Sequence, residues 1–136
     1  MSKWKFLAVA MLAALVVGVA VSSAGGKDTE IQKGNTSCGA PNGNRSLGVA
    51  IFSFNQKENS LTVVVNIKHG LAKTPYTVSL LDADTCTEIV TFGKVVGTNA
   101  SGKGRRTYTA DVGSSTSFVV NANDGSSDNY SEPVHF

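Results

Sequence analysis

Between Arg45 and Phe136 the apolar side chains fall on alternate positions, in short runs separated by polar or glycine-rich connections. LGVAIFSFN sets Leu47, Val49 and Ile51 on one side and Ala50, Phe52 and Phe54 on the other. After the polar turn QKEN comes LTVVVNIK, where Val63, Val64 and Val65 in succession predict a central strand covered on both faces. PYTVSLLDA alternates Tyr76, Val78 and Leu80 with Thr77, Ser79 and Leu81, and Pro75 stands at the strand's start, where its missing N–H costs least. CTEIVTFGKVVG predicts a further strand with a bulge at Gly93. RRTYTADV alternates throughout, and TSFVVNA and the terminal YSEPVHF complete the set. This pattern predicts an all-β fold, an antiparallel Greek-key, immunoglobulin-like β-sandwich of roughly seven or eight strands.

The first residues follow another pattern. MSKWK is basic, Phe6–Val21 is an uncharged run of 16 residues, and VSSAGG closes it with small residues. That order is the signature of a secretory signal peptide, helical while attached and cleaved after Ala24. The apolar run is short for a membrane span, which needs about 20 residues, so no stable membrane insertion is expected after cleavage. The expected organisation is a signal peptide over 1–24, a flexible Gly/Asn/Ser-rich arm over 25–44 with a short strand at Thr29–Lys33, and the sandwich domain over 45–136.

Removing the leader changes the charge. Of the 12 Lys and Arg, Lys3 and Lys5 leave with it, so ten remain against ten Asp and Glu. A neutral domain with dispersed charge lacks the basic surface that nucleic-acid binding requires. Trp4 leaves too, whereas an immunoglobulin domain proper packs a tryptophan on its disulfide. Two cysteines remain, Cys38 and Cys86, far from any zinc-type spacing. In an exported chain they read as one disulfide, and the expected location is extracellular or periplasmic.

Gly97–Lys103 reads G-x-x-x-x-G-K, close to a phosphate-binding loop. That loop needs a hydroxyl residue after the lysine, for magnesium, and a helix behind it. Here Gly104 follows, and a strand-like alternation runs on from there. The segment therefore predicts a hairpin whose glycines supply positive φ, with a small basic tip of Lys103, Arg105 and Arg106 as a weak binding candidate.

Other chemistry is sparse. His69 and His135 are the only histidines, too few for a copper–zinc site, and no G-x-S-x-G accompanies them; a weak enzyme would have to use one of them beside an acidic partner. Asp82, Asp84 and Glu88 in DADTCTE, with Asp124 and Asp128 in NANDGSSDN, are the conceivable calcium ligands. The same residue types build tight turns unaided, and turns are the expected reading, with no metal and no cofactor. Asn35, Asn44, Asn99 and Asn129 each begin an N-x-S/T triplet, relevant where exported proteins are glycosylated.

GVAIFSFNQKENSLTVVVNIKHGL resembles the first half of the CHRD-type secreted domain, with its G-x-A-x-F strand, polar turn, alternating strand and closing G-L. TNASGKG before a strand is similar to small exported bacterial β-sandwich modules. Where a CHRD domain would have a histidine-containing segment, TPYTVSLLDAD stands instead. The resemblance implies a fold and an exported address and no activity. The expectation is a non-catalytic module binding an unknown protein or glycan at the cell surface, or serving there as a structural component. Self-association by exchange of the N-terminal arm or the terminal strand is the main alternative.

Overall fold

The structure, a computed structural model, describes residues 26–38 and 45–136. The expected signal peptide lies outside the described residues. The strands are β1 (Gly26–Gln32), β2 (Ser46–Asn55), β3 (Ser60–Ile67), β4 (Pro75–Asp82), β5 (Thr87–Thr91), β6 (Val96–Gly97), β7 (Gly104–Asp111), β8 (Ser117–Asn123) and β9 (Val134–His135), with no helix among the described residues. They form two antiparallel sheets. The first has the order β1-β2-β3-β7; the second has β9-β8-β4-β5, with β6 also paired to β4. Because β2 and β3 are joined by a tight hairpin, the first three strands are neighbours in one sheet. An immunoglobulin domain instead sends its third strand to the opposite sheet.

Alternation explains how the sheets face each other. Phe52, Val63 and Val65 of the first and Val78, Leu80, Phe118 and Val120 of the second are fully buried in one shared core. Its aromatic part is continuous across the layers. Phe52 stacks on Phe118 at 6.5 Å, Phe54 meets Phe118 edge-on at 5.8 Å, and Phe136 lies 5.4 Å from Phe54 and 6.1 Å from Phe118. Each such side chain contributes about 1.5–3 kcal/mol by leaving water. The result is a sandwich-like pair of layers closed at one side by Phe92, which stacks on Tyr108 at 4.2 Å.

Three expectations change. First, the arm is part of the first sheet: Gly26 to Gln32 pairs with β2 from Ser53 to Ser46, so the strand expected at Thr29–Lys33 begins three residues earlier. Its side chains are mostly polar because this is an edge strand, held by backbone bonds with only Ile31 deep in the core. Second, Val64 is half-buried on an outward face beside Ile51, its register partner, which is 38% exposed. That sheet has one wet side, as antiparallel sheets permit. Third, the extra residue in β5 is Ile89: Leu80 faces Val90 while Leu81 faces Glu88. Gly93 instead lies in the bend between β5 and β6 that lets Phe92 reach Tyr108 and brings the Lys94 carbonyl within 2.6 Å of the tyrosine hydroxyl, which donates to it.

The two-residue period leaves no room for a side chain at Gly48. A Cβ there would sit 2.1 Å from the Asn66 carbonyl oxygen and 2.9 Å from the Ile67 Cα, both backbone atoms of β3. At Gly97 a Cβ would meet nothing within 4 Å. Gly48→Ala should therefore cost about 2–3 kcal/mol through forced separation of β2 and β3. Gly97→Ala should change stability by less than about 0.5 kcal/mol. Urea denaturation of the two variants measures the difference directly.

Candidate functional site

The Cys38–Cys86 disulfide is present, with Cα atoms 6.0 Å apart. Cys38 lies in the β1–β2 connection and Cys86 in the β4–β5 turn, so the bond ties one sheet to the other. Cys86 is exposed and Cys38 partly so. The turn at Cys86 is built like the β2–β3 hairpin. In each, an Asx side chain at the strand end accepts from backbone N–H groups two and three residues on, and the fourth loop residue has positive φ. Asn55 accepts from Lys57 and Glu58, with Asn59 at φ 51. Asp82 accepts from Asp84 at 2.8 Å and Thr85 at 3.2 Å, with Cys86 at φ 55.

This accounts for the acidic calcium candidates. Asp82 Oδ2 also accepts from the Ser115 hydroxyl at 2.7 Å. Asp84 and Glu88 are exposed. Asp124 Oδ1 accepts the N–H groups of Ser126 and Ser127, and Asp128 Oδ1 receives the amides of Asn121 at 2.9 Å and Asn123 at 2.7 Å. Asp82 and Asp124 thus shape their own turns. Among the described residues no three His, Cys, Asp or Glu side chains group as metal ligands.

The G-x-x-x-x-G-K segment is a turn between β6 and β7, followed by strand. Asn99 organises it, its Oδ1 accepting from Ser101 at 2.9 Å and Lys103 at 3.0 Å, while Gly102 takes φ 76. The turn is packed against the β3–β4 crossover. Gly70 N–H donates to the Gly102 carbonyl and Lys73 N–H to that of Asn99. Thr98 accepts from Thr74 N–H at 2.9 Å and donates to the Leu71 carbonyl at 2.5 Å. Lys103, Arg105 and Arg106 are all exposed. Successive strand residues point to opposite faces, so the two arginines diverge. Arg106 instead works on its neighbour: burial raises the Tyr108 phenol above its ordinary value, and the Arg106 charge offsets part of that rise.

The β1–β2 connection is held to the second sheet by buried asparagines. Asn129 Oδ1 accepts from Gly34 N–H at 2.8 Å, its Nδ2 donates to the Ala122 carbonyl at 2.7 Å, and its own N–H donates to Asn121 Oδ1 at 3.0 Å. Asn35 Nδ2 donates to the Tyr130 carbonyl at 3.3 Å. Both asparagines begin N-x-S/T triplets, and both are buried, whereas Asn99 is exposed; Asn44 lies outside the described residues.

The two histidines lie at opposite ends of the layers. His135 pairs with Ser117 at the start of β8. His69 follows β3, anchored by its N–H on the Leu47 carbonyl at 3.0 Å, and opens on two adjoining recesses. One, of about 220 Å³, is lined by Lys33, Leu47, His69, Leu71, Tyr76 and Asp124, among others. The second, of about 310 Å³, is lined by Lys33, Arg45, Ser46 and His69. Sequence reasoning singled out only His69 and Asp124 from this group. The others come from separate segments and carry no spacing signal. No protein-family profile and no curated protein matches the chain. Among the described residues no helix is long and apolar enough to cross a membrane.

The turn carboxylates make stability acid-sensitive. The Ser115 hydroxyl, the largest influence, holds Asp82 below its usual 3.8; desolvation works upward, and the Thr85 and Asp84 N–H groups help to outweigh it. At Asp124 desolvation works upward, but the N–H groups of Ser126 and Ser127 outweigh it and the net direction is down. A carboxyl lowered on folding stabilises above its unfolded-state value and loses that contribution as pH falls through the folded one. Asp82→Asn should therefore cost about 0.5–1 kcal/mol at neutral pH and shrink the loss of stability seen below about pH 4. Urea midpoints collected from pH 7 down to about pH 2 check both effects.

Proposed function

We propose that the chain acts outside the cytoplasm as a non-catalytic β-sandwich module that binds a ligand or serves a structural role, delivered by a leader removed after Ala24. The observation that carries this reading is the Cys38–Cys86 bond at an exposed turn. A cytosolic thiol pool keeps cysteines reduced, whereas exported domains retain such bonds. The closed loop spans 48 residues, for which chain entropy gives about 4 kcal/mol of stabilisation.

Several features support the finer parts of the reading. The strand β7, reached after β4–β6 have crossed to the other sheet, returns beside β3; this supports a Greek-key path. On the weak-enzyme alternative, His135 lies at the other end of the layers, while His69 lines a recess with Asp124, whose Oδ1 is bound within its own turn. For a self-contained module rather than a strand-exchanged subunit, β1 is paired over its whole length with β2, and β9 is paired with β8. The Phe136 ring is likewise seated on Phe54 and Phe118 of its own chain.

Expression with the native leader in a secreting bacterial host, followed by N-terminal sequencing and thiol alkylation of intact protein, tests this proposal. The expected product starts at Gly25, carries no alkylated cysteine, and loses about 4 kcal/mol of stability on reduction. A cell-retained product that keeps Met1–Ala24 and alkylates at both Cys38 and Cys86 would overturn it.

A further inference from the structure

The two recesses beside His69 share Lys33 and His69, and therefore form one double cleft at the end of the layers where β1 finishes and β2 begins. Three backbone bonds assemble it. Lys33 N–H donates to the Arg45 carbonyl at 2.9 Å, and both Lys68 and His69 donate to the Leu47 carbonyl, at 2.9 and 3.0 Å. Lys33 from β1's exit, Arg45 from β2's entry and His69 from β3's exit are thereby brought to line one recess. The first recess adds apolar lining beside the polar Asp124, Ser127 and Asn129: Leu47 and Tyr76 are almost wholly buried, and Leu71 is 56% exposed. Leu71 and Ile51 are the large hydrophobics most exposed to solvent among the described residues, and Leu71 is fixed there through its N–H on the Tyr76 hydroxyl at 2.9 Å and its carbonyl on Thr98.

We infer that this double cleft binds a small organic anion, with an anionic head against Lys33, Arg45 and His69 and an apolar body over Leu47, Leu71 and Tyr76. An apolar recess with a few convergent polar groups is the usual form of a small-molecule site, and a concave wall of one charge sign concentrates ligands of the opposite sign. Asp124 is the acidic residue lining the first recess, and its Oδ1 is engaged by Ser126 and Ser127 N–H groups. The second recess has no acidic lining residue among those described. Its size suits a single ring or short chain rather than a polymer. The inference rests on the ligand-binding form of the function proposed above.

Amide NMR titration of the oxidised mature protein separates the two halves of the inference. The probes are 2-naphthoate, its neutral amide, acetate and inorganic phosphate. Naphthoate should shift the resonances of Lys33, Gly34, Ser46, His69 and Leu71, with a dissociation constant of about 1 mM or below. Acetate and phosphate should act at the same residues at least about tenfold more weakly, and the neutral amide weaker still than naphthoate. Arg45→Ala should weaken naphthoate and phosphate alike, whereas Leu71→Ser should weaken naphthoate and leave phosphate unchanged; dispersed spectra of both variants establish folding. Should Arg45→Ala misfold, Arg45→Gln provides the same comparison. Shifts elsewhere on the surface, equal binding of the neutral amide, or unchanged binding in the Arg45 variant would each overturn the site. Phosphate binding equal to that of naphthoate would overturn the apolar half, reducing the cleft to a simple anion site. Export and the disulfide are measured independently, so loss of this site leaves the extracellular address standing.

Discussion

Everything in this protein depends on two sheets sharing one apolar interior whose rings interlock from both sides. Phe118 of the second sheet touches Phe52 and Phe54 of the first, and Phe136 closes the same group from the chain's last residue. A single register slip in β2 or β8 would turn these rings to the solvent. The hairpin at Asn55–Asn59 fixes where β2 ends, and the Ser115 hydroxyl on Asp82, with the Ala83 N–H on the Ser117 carbonyl, fixes where β8 begins. The polar turns and the aromatic core are therefore two parts of one constraint.

Much of that constraint was visible in the residue order. Period-two alternation groups Ala50, Phe52 and Phe54, and Tyr76, Val78 and Leu80, and each of these sets is buried; it also groups Leu47 with Ile51 and Leu81 with Ser79, yet Leu47 and Leu81 are buried while Ile51 is exposed. Alternation fails where a strand's role is set by its neighbours. β1 has only one deeply buried apolar side chain, Ile31, because backbone pairing to β2 carries it, so its first residues looked like an arm. Val64 belongs to an apolar triplet, but only the geometry shows that its side of the sheet is open. Near Gly93 the chain bends to suit Phe92 and Tyr108, a contact between segments that no local pattern records.

The cleft was harder still to foresee. Lys33, Arg45 and His69 are far apart in the sequence, and the backbone bonds to Arg45 and Leu47 bring them together. Glycines that resembled a family motif turn out to serve contact. A Cβ on Gly102 would lie 2.1 Å from the Gly70 carbonyl oxygen, so the turn and the crossover can meet only without side chains. That meeting holds Leu71 and Tyr76 in place beside His69. The asparagines that look like modification signals, Asn35 and Asn129, do comparable structural duty nearby.

The direction of β1 gives the molecule a polarity. At its beginning, the Lys27 ammonium reaches the His135 carbonyl and lies over the Phe136 ring, so residues 26 and 136 emerge side by side. At its far end, about 20 Å away for seven extended residues, the chain arrives at Lys33 and the recesses. A surface that met the domain beside Lys27 and His135 would stand behind it, with the recesses at Lys33 on the side turned away.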